Sequence, residues 1–108
     1  MLDAIFAPRS VAVVGASPDP RKLGHTVLKN IVTNGFPGAI YPIHPTANEV
    51  LGLRAYPSVA QTPAVPDLAV IVVPPTAVLA VAEECGQRGV KGLIVITAGF
   101  QEIGPEGL

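Results

Sequence analysis

The chain is poor in charge: Asp, Glu, Lys and Arg make up 14% of its 108 residues, against about a quarter in an average globular domain. Seven cations and eight acids leave a net charge of −1, which offers no electrostatic footprint for nucleic acid or an anionic membrane. Cysteine occurs once, as Cys85. That excludes an internal disulfide and fits a reducing, cytoplasmic setting. No apolar run approaches the ~18 residues of a membrane span. The opening "MLDAIFAPRS" lacks the basic region followed by an apolar core that marks a secretory leader.

Catalytic signatures are equally scarce. No serine sits in a G-x-S-x-G elbow, and no group of His, Cys, Asp or Glu has metal-ligand spacing. The two histidines, His25 and His44, have no carboxylate placed by local spacing to orient a nucleophile or base. Cys85 falls on an apolar helical stripe, which reads as a buried structural thiol.

What is present is apolar: 49% of the chain. Three continuous runs stand out, "SVAVVG" (10–15), "LAVIVV" (68–73) and "GLIVIT" (92–97). They are short, β-branched and bounded by Gly or Pro, as strands buried on both faces are. A fourth strand is expected at "AIYPI" (39–43), and a short edge strand at "LRAYP" (53–57), whose proline is tolerated only at an edge or strand end. Between them, Val27, Leu28, Ile31 and Val32 recur at helical spacing from Gly24 to Asn34, with Gly35 at the capping position. From Pro75 to Gln87, Val78, Leu79, Ala82 and Cys85 form a second stripe, with Pro75 suited to a first helical turn. Ser58 is placed to cap one further short turn.

Strands alternating with helices predict a doubly wound, Rossmann-like parallel α/β sheet with right-handed crossovers. The expected order is 3-2-1-4-5, with "LRAYP" at one edge and "GLIVIT" at the other. Ligands in such sheets sit beyond the carboxyl ends of the strands, where strand order reverses. Those ends are "GAS" (15–17), "HPT" (44–46), "PPT" (74–76) and "TAGF" (97–100): small, hydroxyl-bearing or proline-bearing, and without a carboxylate. The terminal "GPEGL" (104–108) resembles a helix start cut short, so residues 1–108 are read as the leading piece of a longer protein.

The stretch "VAVVGASPDPRKLGH" (11–25) has the shape of a strand, a phosphate-wrapping loop and a helix start. A dinucleotide fingerprint, G-x-G-x-x-G, requires glycine where Ser17 stands, and an acid about 20 residues on. The second strand ends instead in His44-Pro45-Thr46, and the loop from Gly15 to Gly24 is several residues too long. No G-x-x-x-x-G-K-[ST] occurs, which excludes a P-loop. What remains is the Ser17 hydroxyl, backbone amides, and the cations Arg21 and Lys22 at a helix N-terminus. Each has a plainer reading: Ser17 as a turn residue, Arg21 and Lys22 as solvated loop charges, Pro74-Pro75 as a strand stop and helix start. His25 reads as a first-turn residue, and His44 as a strand-end residue facing the proposed site.

Taken together, "PRSVAVVGAS", "LGHTVLKNI", "GFPGAIYPIHP", "EVLGLRAYPSV", "PDLAVIVVPP" and "EECGQRGVKGLIVITAGFQEIG" resemble the N-terminal CoA-binding domain of NDP-forming acyl-CoA synthetases. These are the ADP-forming acetate–CoA ligases, related to the succinyl-CoA synthetase α chain. The resemblance implies that coenzyme A, or its acyl thioester, lies along the strand ends. Gly15, Ala16 and Ser17 would then meet its phosphates. Pro74, Pro75 and Thr76 would pack along the nucleotide or pantetheine arm, with Thr97, Ala98 and Gly99 near the thiol. ATP or ADP would enter only through downstream domains of the same protein, which would also hold a phosphohistidine relay. Where many relatives carry a basic residue after the proline of the second strand, this chain has Thr46. The same domain also heads fusions with GNAT-type protein acetyltransferases, in which it is a regulatory ligand-binding module. A dinucleotide-binding oxidoreductase is disfavoured by Ser17 and the missing acid.

Overall fold

The structure is a computed structural model that describes residues 7–96. Its elements in chain order are β1 (Ser10–Val14), α1 (Leu23–Thr33), β2 (Ala39–Ile43), β3 (Glu49–Val50) and β4 (Leu53–Arg54), then a 3-10 turn (Val59–Gln61), β5 (Leu68–Ile71), α2 (Pro75–Arg88) and β6 (Gly92–Val95). Four strands form one parallel sheet in the order β2-β1-β5-β6. The chain thus reverses its direction of winding at β1, between β2 and β5. This is the Rossmann-like arrangement expected from the alternation of strands and helices.

The two-residue period of β1 divides the core. Val11 and Val13 face one side with Leu28, Val70 and Val72, against Leu23, Val27 and Ile31 of α1. Ala12 and Val14 face the other with Ile43, Ala69, Ile71 and Cys85, against Val59 and Val81. Both faces of β1 and β5 are covered, which is why those runs are apolar without alternation. Burial pushes the Cys85 thiol up from its ordinary value, as suits a structural rather than reactive cysteine.

Helix ends follow the expected chemistry. Gly35, at φ 77°, closes α1: its N–H donates to Val32 O and that of Phe36 to Ile31 O, the paired bonds of a Schellman motif. In α2 the stripe is shifted. Leu79 is 71% exposed, because it lies about 120° around the helix from Cys85, and Val81 packs inward in its place. Ser58 precedes the 3-10 turn without making a side-chain cap. That turn is held from outside: Arg88 Nε donates to Val59 O (3.1 Å) and Nη2 to Thr62 O (2.8 Å).

The edge strand at "LRAYP" departs from expectation. Leu53–Arg54 pairs antiparallel with Glu49–Val50 in a separate hairpin, and only Tyr56 bridges the main sheet, opposite Ile43. Tyr56 N–H donates to Pro42 O, and His44 N–H to Tyr56 O (both 2.9 Å). Extending that ladder backwards requires an N–H from Pro42, which proline lacks. Extending it forwards requires the Thr46 N–H, which is committed to the His44 ring. The neighbour order is as expected, but the fifth strand shrinks to a single bridge.

Candidate functional site

Two glycines build the site. Gly15 leaves β1 at φ 96°, and a Cβ there would stand 1.9 Å from Val72 O. Only glycine tolerates both the backbone angle and the contact. A Cβ on Gly24 would likewise stand 1.9 Å from Gly15 O, so the first turn of α1 rests directly on the end of β1. Hydrogen bonding in α1 begins with His25 and Thr26 N–H donating to Lys22 O. The amides of Leu23 and Gly24 come before those bonds and have no acceptor within the helix. Lys22 caps through backbone alone, and the first turn carries no acid. These are the conditions under which a helix N-terminus favours an anion.

Beside this terminus lies a cleft of about 820 Å³ lined by Gly15, Ala16, Ser17, Arg21, Lys22, Leu23, Gly24, Thr26, His44, Pro45, Val72, Val73 and Pro74. Three separate strand ends therefore meet in one place, at the reversal of strand order. The floor is backbone and apolar side chain, while the rim carries hydroxyls, two cations and an imidazole.

The loop from Ser17 to Lys22 is organised internally. Ser17 Oγ accepts the Asp19 N–H (3.0 Å), so the plainer reading of Ser17 as a turn residue holds. Its hydroxyl hydrogen is left free to donate. Asp19 accepts from Arg21 through both carboxylate oxygens, with Nε at 3.1 Å and Nη2 at 3.0 Å. That side-chain contact with Arg21 holds the Asp19 carboxyl below its ordinary value. Arg21 lines the cleft with its charge already partnered. The Arg21–Asp19 contact is the one ion pair among the described residues, which leaves Lys22 as the unpaired cation of the rim.

The histidines are used in opposite senses. His25 Nδ1 lies 2.9 Å from Ser17 O; a carbonyl only accepts, so Nδ1 carries the hydrogen. This ties α1 to the loop and makes His25 structural. His44 Nδ1 accepts the N–H groups of Thr46 (3.1 Å) and Ala47 (2.9 Å), so its ring hydrogen is on Nε2.

Of the sequence-predicted site residues, Gly15, Ala16, Ser17, Arg21, Lys22, His44, Pro45 and Pro74 line this one cleft. Pro75 and Thr76 do not; they are exposed in the first turn of α2, where Pro75 starts the helix. Thr97, Ala98 and Gly99 lie outside the described residues. Sequence reasoning passed over Leu23, Thr26, Val72 and Val73, which read as core or helix-surface positions. By sequence Gly24 reads only as a helix start, although a glycine there, beside the loop, is the available signal. A second cleft, of about 630 Å³, lies along the hairpin between Asn48, Glu49, Arg54 and Tyr56. It has no helix terminus facing it and no glycine held against backbone. Among the described residues no group of three His, Cys, Asp or Glu side chains is placed to hold a metal, and no helix is long and apolar enough to cross a membrane.

Comparison with known proteins gives the family and the fold. Residues 9–103 match the family described as a CoA binding domain. Over 99% of its length the chain is 50% identical to the α subunit of an ADP-forming acetate–CoA ligase II from Pyrococcus furiosus, covering 23% of that protein. Over 95% of its length it is 50% identical to an ADP-forming 4-hydroxybutyrate–CoA ligase from Nitrosopumilus maritimus, covering 15%. Among solved structures it superposes on the dinucleotide-forming acetyl-coenzyme A synthetase 1 of Ca. Korarchaeum cryptofilum, apo form. The TM-score is 0.88 at 50% identity, covering 99% of this chain and 23% of that one. The chain thus spans a quarter or less of the length of these relatives.

Proposed function

The chain belongs to the CoA-binding domain family, and from that membership we propose that it holds coenzyme A in the glycine-floored cleft as the leading domain of an ADP-forming acyl-CoA ligase. The observation that carries the reading is the contact of Gly24 with the Gly15 carbonyl. It brings the unsatisfied amides of α1 to the end of β1, beside the Ser17 hydroxyl and Lys22. A pyrophosphate fits that set of donors. The pantetheine arm then runs over Val72, Val73 and Pro74 toward the end of β6, where Thr97, Ala98 and Gly99 follow in sequence. The relatives named above are ligases and a synthetase, which favours ligase over the acetyltransferase fusion.

In this reading residues 1–108 are one CoA-binding domain, and nucleotide and acyl chemistry belong to chain beyond it, together with the relay histidine. The single reduced cysteine favours a cytoplasmic protein. Thermal unfolding tests ligand choice, since a ligand bound only by the native state raises the melting temperature. CoA should raise it in a concentration-dependent way, and NAD and NADP far less. An equal or larger shift with NAD would replace CoA with a dinucleotide as the ligand.

A further inference from the structure

We propose that Asp19 is a built-in competitor of the ligand: it holds the Arg21 guanidinium until a phosphate takes its place, and so lowers the affinity of the cleft. The inference rests on the CoA reading and adds a residue that acts against binding, through Arg21 rather than by touching the ligand.

The two partners are held unequally. Asp19 is fixed by the loop: its N–H donates to Ser17 Oγ (3.0 Å), and its carbonyl accepts the Lys22 N–H (3.0 Å). Its carboxylate also accepts the backbone N–H of Arg21 (2.9 Å), so it keeps a partner when the guanidinium leaves. The Arg21 side chain bonds only to that carboxylate among the described residues, through Nε and Nη2. It is 88% exposed, against 28% for the side chain of Asp19. A long side chain held at its tip by one solvated carboxylate swings away at little cost, because ion pairs in water are weak. Arg21 also lines the cleft, where a phosphate offers its guanidinium a second bidentate partner. The exchange breaks two hydrogen bonds to Asp19 and forms their equivalents on phosphate. It leaves a bare carboxylate beside the incoming anion, and the two repel.

The experiment is calorimetric titration of CoA into the wild type, Asp19→Asn, Arg21→Ala and the double variant, at low salt, where exposed charges are least screened. Asparagine keeps an oxygen to accept the Arg21 N–H, so the turn survives while the charge goes. Asp19→Asn should bind CoA at least about threefold more tightly than wild type, within the range an exposed ion pair is worth. A purely structural role for Asp19 gives the opposite sign, weaker binding. In the Arg21→Ala background the same change should gain less than that margin, because no guanidinium is left to release. The cycle separates this release from plain loss of a negative charge near Lys22 and His25, which also act on Asp19 through space. An Asp19→Asn gain below the margin, or a gain above it that persists without Arg21, overturns the competitor assignment and leaves the CoA reading standing. A wild type that binds no CoA overturns both.

Discussion

At the scale of single residues, the glycines show that identical substitutions have opposite outcomes. Gly24→Ala forces a methyl group to within 1.9 Å of the Gly15 carbonyl oxygen. Backbone must move to relieve it, at a cost of about 2 kcal/mol or more. Gly86, inside α2, has nothing within 4 Å of its missing Cβ, so Gly86→Ala should stabilise by about 0.5–1 kcal/mol through helix propensity. Urea denaturation of the two variants reads both signs, and a destabilised Gly86→Ala would mean the open space is not real. Ser17→Asp probes the phosphates. Its carboxylate can still accept the Asp19 N–H, so the loop is kept, while its charge repels a pyrophosphate at close range. CoA affinity should fall about tenfold or more by titration. Unchanged affinity in a folded variant would put the phosphates elsewhere. For Asp19, the partner Arg21 holds the folded pKa below the unfolded one. Its contribution to stability is therefore present above the ordinary carboxylate range and lost as pH falls through the depressed value. Both groups are solvated, so the effect is small and falls further with salt. Asp19→Asn should lower stability slightly at pH 7 and make no difference once pH falls below the depressed value, so the acid limb of the stability–pH curve becomes flatter.

At the scale of elements, α2 does two jobs from one face. Cys85 is fully buried against β1 and β5, and Arg88, one turn on, clamps the 3-10 turn through carbonyls of Val59 and Thr62. Arg88→Ala leaves those partly buried carbonyls without their donor and should cost about 1–3 kcal/mol. Arg88→Lys should recover only part of it, since an ammonium lacks the fork that spans two carbonyls; full recovery in denaturation would mean that charge, not geometry, matters. The Cys85 thiol is raised by burial. The stability tied to its protonated state is then complete below the ordinary thiol pKa and lost as pH rises toward the folded value. A thiol reagent at neutral pH should leave Cys85 unmodified in the native protein and label it once unfolded.

At the scale of the whole molecule, the sheet brings three strand ends and the first turn of α1 to one cleft. Each histidine is engaged with backbone through Nδ1, His25 with Ser17 O and His44 with two amides, and among the described residues neither is oriented by a carboxylate. The 108-residue chain, given labelled ATP, acetate and CoA, should retain no label and form no acetyl-CoA above background. Label lost on changing His25 or His44 would show chemistry within this domain.

The sequence by itself determined the four strands of the main sheet, their order, and the glycine and proline ends of the two helices. Each of those depends on local chemistry: β-branched runs between Gly and Pro, Gly35 past a helical stripe, Pro75 at a first turn. It also disfavoured a dinucleotide through Ser17 and the acid missing after β2. Tertiary structure alone decided which loop groups remain available. Arg21 counts as a cation by sequence, yet Asp19 has already engaged it, while Lys22 is left unpaired. The stripe on α2 placed Leu79 inward by spacing; the helix's rotation against the sheet set it in solvent. "LRAYP" has the composition of a strand, but pairing requires donors from its neighbour, and Pro42 has none to supply. The tautomer of His44 was equally illegible, because it is set by amides that reach the ring only after the chain turns at Pro45.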